Sequence, residues 1–230
     1  MKNSELTYKE IYGQPVSFQA VNDTLDTIFK TLDEVFAEKY DEVIFTGCGT
    51  SLYLAQASAH AFSTCTGISA KGMCCSELYY FPETYVGNGK KVLVVPMTRK
   101  SYTTEVRMAI DKVRSYPGVK SLAITCDPDS SKYNDYMLLS PETPEDSVIM
   151  TRSFTSMIYL AVVMSYYVGG KKEKIEQLKD YAANAESFLK ATDEMAKKIV
   201  AEHPECNLFI TLGQGINYGI ANECMNKMKE

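Results

Sequence analysis

The chain opens on a helical rhythm. Phe18, Val21, Leu25, Ile28, Phe29, Leu32 and Phe36 recur at three- and four-residue spacing, which gives one apolar stripe for packing on a core. The period then changes. Glu42–Thr46 is a short β-branched apolar run ending in Gly47-Cys48-Gly49, and a small-residue helix is expected from Thr50 to about Ser63. Lys91–Val95, Ser121–Thr125 and Tyr136–Leu139 repeat the buried run that leads into polar residues. Helices are expected over Thr103–Val113 and Thr151–Tyr167. Continuous apolar strands alternating with helices predict an α/β fold: a parallel sheet with right-handed crossovers, covered on both faces as a three-layer αβα, Rossmann-like domain.

Gly169-Gly170 closes that domain. The reading divides the chain into an N-terminal helical segment (1–39), the α/β domain (40–170), a connecting helix (171–205) and a last unit (206–230). Ala191-Thr192 marks a candidate break in the connector. Phe209–Gly213-Gln214-Gly215 repeats the strand-to-glycine pattern of Ile44–Gly49, and Ala55 and Ala221 each lie six residues past the second glycine. Residues 206–230 are therefore expected to be the opening strand and helix of a second, truncated copy. One strand cannot make a sheet, so this unit is expected to dock on a neighbour or stay disordered, and the chain to form a homodimer or larger assembly.

Charge and composition narrow the partners. A net charge of −5 without a Lys/Arg run argues against nucleic acid. The longest apolar stretch, Met157–Val168, is too short for a membrane span and carries Ser and Tyr. The N-terminus has no apolar leader core, which points to the cytoplasm. Seven cysteines, an odd count without metal-ligand spacing, read as free thiols. Adjacent Cys74 and Cys75 suit neither a C-x-x-C redox pair nor a zinc knuckle and read as small buried residues.

Three polar segments fall just past strand ends, where open parallel sheets bind ligands: Cys48–Ser51, Thr98–Thr103 and Ser147–Ser153. Gly49 lets the backbone approach an anion, and Thr50 and Ser51 offer hydroxyls and amides at a helix start. Thr98, Ser101 and Thr103 add hydroxyls, with Arg99 and Lys100 beside them. Such loops suit a phosphate monoester and require neither metal nor cofactor. Each loop alone reads as an N-cap before it reads as a site; three after strands of one sheet favour binding. Nucleotide motifs are missing, since Leu52 stands where a dinucleotide fingerprint needs glycine. Cys48 has no base placed beside it by sequence, His60 and His203 read as structural or solvated, and Glu145-Asp146 reads as a loop cap.

Phe45-Thr-Gly-Cys-Gly-Thr-Ser-Leu-Tyr-Leu-Ala55 resembles the opening motif of SIS (sugar isomerase) domains, and Ser76-Glu77 the Ser-Glu after their second strand. Ser147–Met157 and Leu212–Glu230 resemble segments of the isomerase half of glutamine–fructose-6-phosphate aminotransferase and related isomerases, deaminases and deglycases. The resemblance implies a sugar phosphate held by Cys48, Gly49, Thr50 and Ser51 and by Thr98, Arg99, Lys100, Ser101 and Thr103, with Val148 and Met150 lining the sugar. It also implies that Lys227 and Glu230 form the family's Lys-x-x-Glu ending, with Glu230 as the proton-transfer base.

Two departures temper these implications. The family's Ser-x-Ser-Gly-x-Thr loop here reads Thr98-Arg-Lys-Ser-Tyr-Thr103, bulkier and more cationic. The family's catalytic His lies beyond Lys-x-x-Glu, so residues 1–230 are expected to be inactive alone, with Glu230 short of fixed surroundings. Lys2 stands where the aminotransferase's glutaminase half begins with Cys, so glutamine is not the expected nitrogen source. The expected function is that of an aldose–ketose 6-phosphate isomerase or an amino-sugar-phosphate deaminase or deglycase. The alternative is a non-catalytic phosphosugar-sensing or assembly module.

Overall fold

The computed structural model describes residues 3–87, 89–143 and 145–230. The Lys2 position and Pro144 of the acid-rich loop lie outside them. The N-terminal stripe folds as separate helices: α1 (Asn3–Tyr12), α2 (Gln14–Asp23) and α3 (Leu25–Val35). Pro15 stands in the first turn of α2, where its missing N–H costs nothing. Thr24 ends it by donating its hydroxyl to the Val21 carbonyl at 3.0 Å.

Five parallel strands form the sheet: β1 (Glu42–Gly47), β2 (Ala70–Cys74), β3 (Val92–Thr98), β4 (Val119–Thr125) and β5 (Tyr136–Leu139), in the order β2-β1-β3-β4-β5. Helices α4 (Thr50–Thr66), α5 (Cys75–Tyr80), α6 (Pro82–Tyr85), α7 (Thr104–Val113) and α8 (Arg152–Val168) complete the domain. Both sheet faces are buried. Phe45, Leu93, Val95 and Leu122 pack with Leu54, Phe62 and Leu160 on one side, while Ile44, Val92 and Val94 pack with Leu78, Val106 and Ile110 on the other. Alternate residues of each central strand thus serve opposite layers.

The structure departs from expectation at four places. β2, Ala-Lys-Gly-Met-Cys, was not expected from its pattern. It is a half-buried edge strand, and Lys71 answers Glu42 of β1 at 2.8 Å, so no apolar run marks it. β3 continues through Pro96 to Thr98, while the β3–β4 pairing lapses at Val95 and Pro96, as a residue without an N–H requires. The connector is one helix, α9 (Lys172–Glu202), unbroken at Ala191-Thr192; no Gly or Pro interrupts it, and the Thr192 hydroxyl donates back to the Phe188 carbonyl.

The fourth departure concerns the last unit. Residues 207–214 form no strand, because among the described residues no strand lies beside them to pair with, and Leu208, Phe209, Ile210 and Leu212 are exposed. The helix that follows, α10 (Ile216–Lys227), packs instead on α4 of its own chain. Among the described residues no helix is long and apolar enough to cross a membrane.

Candidate functional site

From β1 the chain moves outward to β2, then returns to place β3 on the other side of β1. The strand order reverses there, so the loops after β1 and β3 flank the crevice where open α/β sheets bind ligands. The first loop turns on Gly49, which has φ 55° and caps α4. That backbone region favours glycine, and the amides of Ser51 and Leu52 close the turn onto the Cys48 and Gly49 carbonyls. Gly215, capping α10, has φ 60° and the same pair of turn bonds from Asn217 and Tyr218. The repeat seen in sequence is therefore a repeat of turn geometry.

α10 reaches the first loop because Gly219 lets it cross α4 with backbones touching. A Cβ there would stand 2.3 Å from the Tyr53 carbonyl oxygen and 2.7 Å from the Ala57 nitrogen. Past this crossing, Glu223, Asn226 and Lys227 all meet Thr50. Its hydroxyl donates to Glu223 Oε1 at 3.1 Å and accepts from Asn226 Nδ2 at 3.2 Å and Lys227 Nζ at 3.3 Å. Lys227 Nζ also lies 2.7 Å from Glu223 Oε1 and 2.6 Å from Glu230 Oε2, and Asn226 Nδ2 donates to Glu230 Oε1 at 3.0 Å. Glu230 is thus held at two points, contrary to the expectation that it lacks fixed surroundings.

Sequence reasoning missed Glu223. It is 4% exposed, and burial raises its pKa above the ordinary glutamate value although Lys227 draws it back. Its Oε2 has no hydrogen-bond partner among the described residues. The 223/227/230 spacing, one face of a helix, was the available signal.

The second loop turns much of its polarity inward, unlike the open hydroxyl array expected. Thr98 Oγ1 donates to the Lys100 carbonyl at 2.7 Å, and Thr103 Oγ1 to the same carbonyl at 3.4 Å. Ser101 gives both its amide and its hydroxyl to Asp127 Oδ2, at 2.9 and 2.7 Å. Burial pushes the Asp127 pKa up, but these bonds outweigh it and hold the carboxyl below its ordinary value. Lys100 Nζ lies over the Tyr102 ring, 5.7 Å from its centroid. Arg99, Lys100, Asp127 and Glu145 share a cleft of about 390 Å³.

Arg99 joins this loop to the third segment. Its guanidinium donates to Glu145 Oε2 and the Ser147 carbonyl at 3.1 Å and to the Val148 carbonyl at 3.3 Å. Glu145 Oε1 accepts the Thr151 and Ser153 amides at the start of α8, so it is the cap expected. Burial raises its pKa, but the bonds from Ser153 and Thr151 prevail and keep it below the ordinary value. Glu10 of α1 takes the Asp146 and Ser147 amides. Val148 is 90% exposed and lines a cleft of about 360 Å³ with Leu6, Thr7, Asp146, Ser147, Ile149 and Glu230. Met150 does not line that cleft; it packs half-buried against the main core, just before Thr151, the N-cap of α8.

His60 lies within α4 against Gly215, and His203 follows the last turn of α9. Exposed His203, Glu205 and Cys206 have ligand atoms within 4.8 Å of one another, but that trio includes none of the loop residues.

The SIS domain model matches residues 37–169. The isomerizing glutamine–fructose-6-phosphate aminotransferase of Helicobacter pylori is 26% identical over 96% of this chain, which spans 39% of that protein. The C-terminal domain of glucosamine-fructose-6-phosphate aminotransferase from Francisella tularensis superposes with a TM-score of 0.83 at 23% identity, covering 98% of this chain and 66% of that one. Glucosamine-6-phosphate deaminase from Thermotoga maritima superposes with a TM-score of 0.73 at 23% identity, covering 92% and 65%. The chain spans about two-fifths of the curated relative's length, and the structural likeness at these identities is one of fold. With its family model matched over more than half its length, on a parallel sheet whose strand order reverses beside the Cys48–Ser51 loop, the chain belongs to the SIS domain family.

Proposed function

We propose that the chain binds a sugar phosphate, a hexose- or aminohexose-6-phosphate, and serves an enzyme of the aldose–ketose isomerase or amino-sugar-phosphate deaminase or deglycase type. The observation that carries this reading is the link from Thr50 in the first loop through Lys227 to Glu230, which sets a carboxylate beside the Val148 cleft. The phosphate is taken by the Cys48–Ser51 loop at the start of α4, with the Arg99–Thr103 loop across the crevice. After ring opening, Glu230 removes the proton next to the carbonyl and returns it to the neighbouring carbon through an enediol or enediolamine, while Lys227 holds the carboxylate in place. The names of the relatives support this substrate class.

Titration with fructose-6-phosphate and glucosamine-6-phosphate, followed by amide chemical shifts, tests the reading. Shifts are expected at Gly49–Ser51, at Ser101–Thr103 and around Lys227–Glu230. Saturating ligand that leaves all three silent overturns it. One observation favours a second reading, a non-catalytic sensing or assembly module: Asp127 already holds the amide and hydroxyl of Ser101 that an incoming phosphate would use. Turnover of either sugar by the protein carrying this chain would sink that second reading.

The free thiols suit a cytoplasmic setting. Exposed Leu208, Phe209, Ile210 and Leu212 favour pairing with a second copy. A mass by light scattering equal to one chain at all concentrations would exclude that pairing.

A further inference from the structure

β1 and β2 run in parallel, and their last register pair is Gly47 with Cys74. The next residue on each chain is a cysteine, Cys48 after β1 and Cys75 at the start of α5. Neighbouring strands lie about 4.8 Å apart, within the roughly 4.4–6.8 Å Cα separation that a disulfide spans. The side chains have met: Cys48 Sγ is 2.6 Å from Cys75 Sγ, with both thiols free. Cys75 is buried and Cys48 half-buried, so an oxidant reaches Cys48 first. The hydrogen bond with Cys75 also lowers the Cys48 pKa, while that bond and burial push the Cys75 thiol up. One sulfur is thus biased toward thiolate, beside a partner that keeps its proton.

We propose that Cys48 and Cys75 form a reversible intramolecular disulfide, and that this bond is an oxidative lock on the Cys48–Ser51 loop. With hydrogen peroxide as oxidant, the Cys48 thiolate attacks one oxygen, the O–O bond breaks and hydroxide leaves, to be protonated to water. Cys48 is now a sulfenic acid. The Cys75 sulfur attacks the Cys48 sulfur, the S–S bond forms and the S–O bond breaks. The departing hydroxyl takes the Cys75 proton as a second water. Two thiols and one peroxide give one disulfide and two waters, and a dithiol reverses the change by exchange. Cys74 also stands beside both thiols, but its sulfur accepts from the Ser76 hydroxyl at 3.1 Å, and the experiment below distinguishes a cross-link through it.

The lock matters because Cys48 directly precedes Gly49, and Thr50 carries the contacts to α10. A covalent tie to α5 removes freedom at the residue that leads into the Gly49 turn. That effect on ligand rests on the phosphosugar reading above; the disulfide itself does not.

The experiment treats the full chain with hydrogen peroxide, alkylates the remaining thiols and maps the peptides. A Cys48–Cys75 cross-linked peptide that disappears with dithiothreitol and is absent from Cys75→Ala is expected, together with amide exchange at Gly49–Ser51 slowed on the order of tenfold. Complete alkylation of both cysteines after peroxide, or a cross-link using Cys74 in place of either, overturns the pairing. A Cys48–Cys75 cross-link with unchanged exchange at Gly49–Ser51 overturns the lock. Fructose-6-phosphate titrated into both redox forms separates the two readings: weaker binding to the oxidised form supports the lock, and equal binding overturns it. Binding to neither form tells against the phosphosugar reading, and the cross-link and exchange data still decide the disulfide.

Discussion

Thr50 Oγ1 and Lys227 Nζ stand 3.3 Å apart although 177 positions separate them. The same hydroxyl donates to Glu223, so one threonine at the start of α4 joins the first loop to three residues of α10. Valine keeps the shape and removes the hydroxyl. Thr50→Val is expected to lose about 1–2 kcal/mol in urea unfolding, because the buried Glu223 forfeits a hydrogen bond. Fructose-6-phosphate affinity is expected to fall about tenfold or more for the same order of energy. Unchanged unfolding and affinity would mean that α10 docks without this contact.

Gly219 provides a separate handle on the same interface. A methyl group there meets the Tyr53 carbonyl oxygen at 2.3 Å, and that atom is backbone that cannot rotate away. Gly219→Ala is expected to push α10 off α4 and abolish amide-exchange protection in residues 219–227. Protection in β1 and β3 should persist, since α10 meets the main core through the partly buried Ile220 and adds no fully buried apolar side chain to it. Full protection of α10 in the variant would mean that the crossing tolerates a side chain.

How the site became legible follows from these contacts. β1, β3, β4 and β5 announced themselves because each carries an apolar run, and the two loops flanking the crevice were found because they follow such runs. β2 was hidden, since an edge strand with Lys71 and Gly72 has no run to show; only the resemblance of Ser76-Glu77 hinted at a strand before it. The Phe209–Gly213 run misled for the opposite reason: an apolar segment becomes a strand only where a neighbour supplies hydrogen bonds. Glu223 and Asp127 were missed because tertiary packing alone makes them partners of Thr50 and Ser101. No spacing along the chain reports a crossing of α4 by α10.

Arg99 and Glu145 give a pH-dependent test. The Glu145 side chain is fully buried and Arg99 lies 3.1 Å away. Its folded pKa is depressed below the ordinary 4.5, so its stabilisation is present above that value and is lost as pH falls through the depressed folded pKa. Glu145→Gln is expected to cost about 1–3 kcal/mol at neutral pH, the range for losing charged hydrogen bonds in a buried site. The gap between wild type and variant should narrow as pH falls below about 4.5. A gap that stays constant from pH 7 into that acid range would remove Glu145 as the titrating cap.

Asp127 raises the question of what the second loop is waiting for. Its carboxylate takes the amide and hydroxyl of Ser101 together, two donors that would suit a phosphate oxygen at the crevice. A bound phosphate must therefore displace Asp127 or settle beside it, and in either case a negative charge opposes it. Two unit charges about 4 Å apart in water-like surroundings repel by roughly 1 kcal/mol, which corresponds to about fivefold in affinity. Asp127→Ala should therefore tighten binding of inorganic phosphate and fructose-6-phosphate by about fivefold. The gain should shrink as added salt screens the charge. Asp127→Asn keeps the size and removes the charge, and it should recover most of the gain. If both variants weaken binding, Asp127 holds the loop in its binding-ready shape instead of competing for it. In that case the carboxylate would be a support for the site, and the internal bond to Ser101 would persist when ligand is bound.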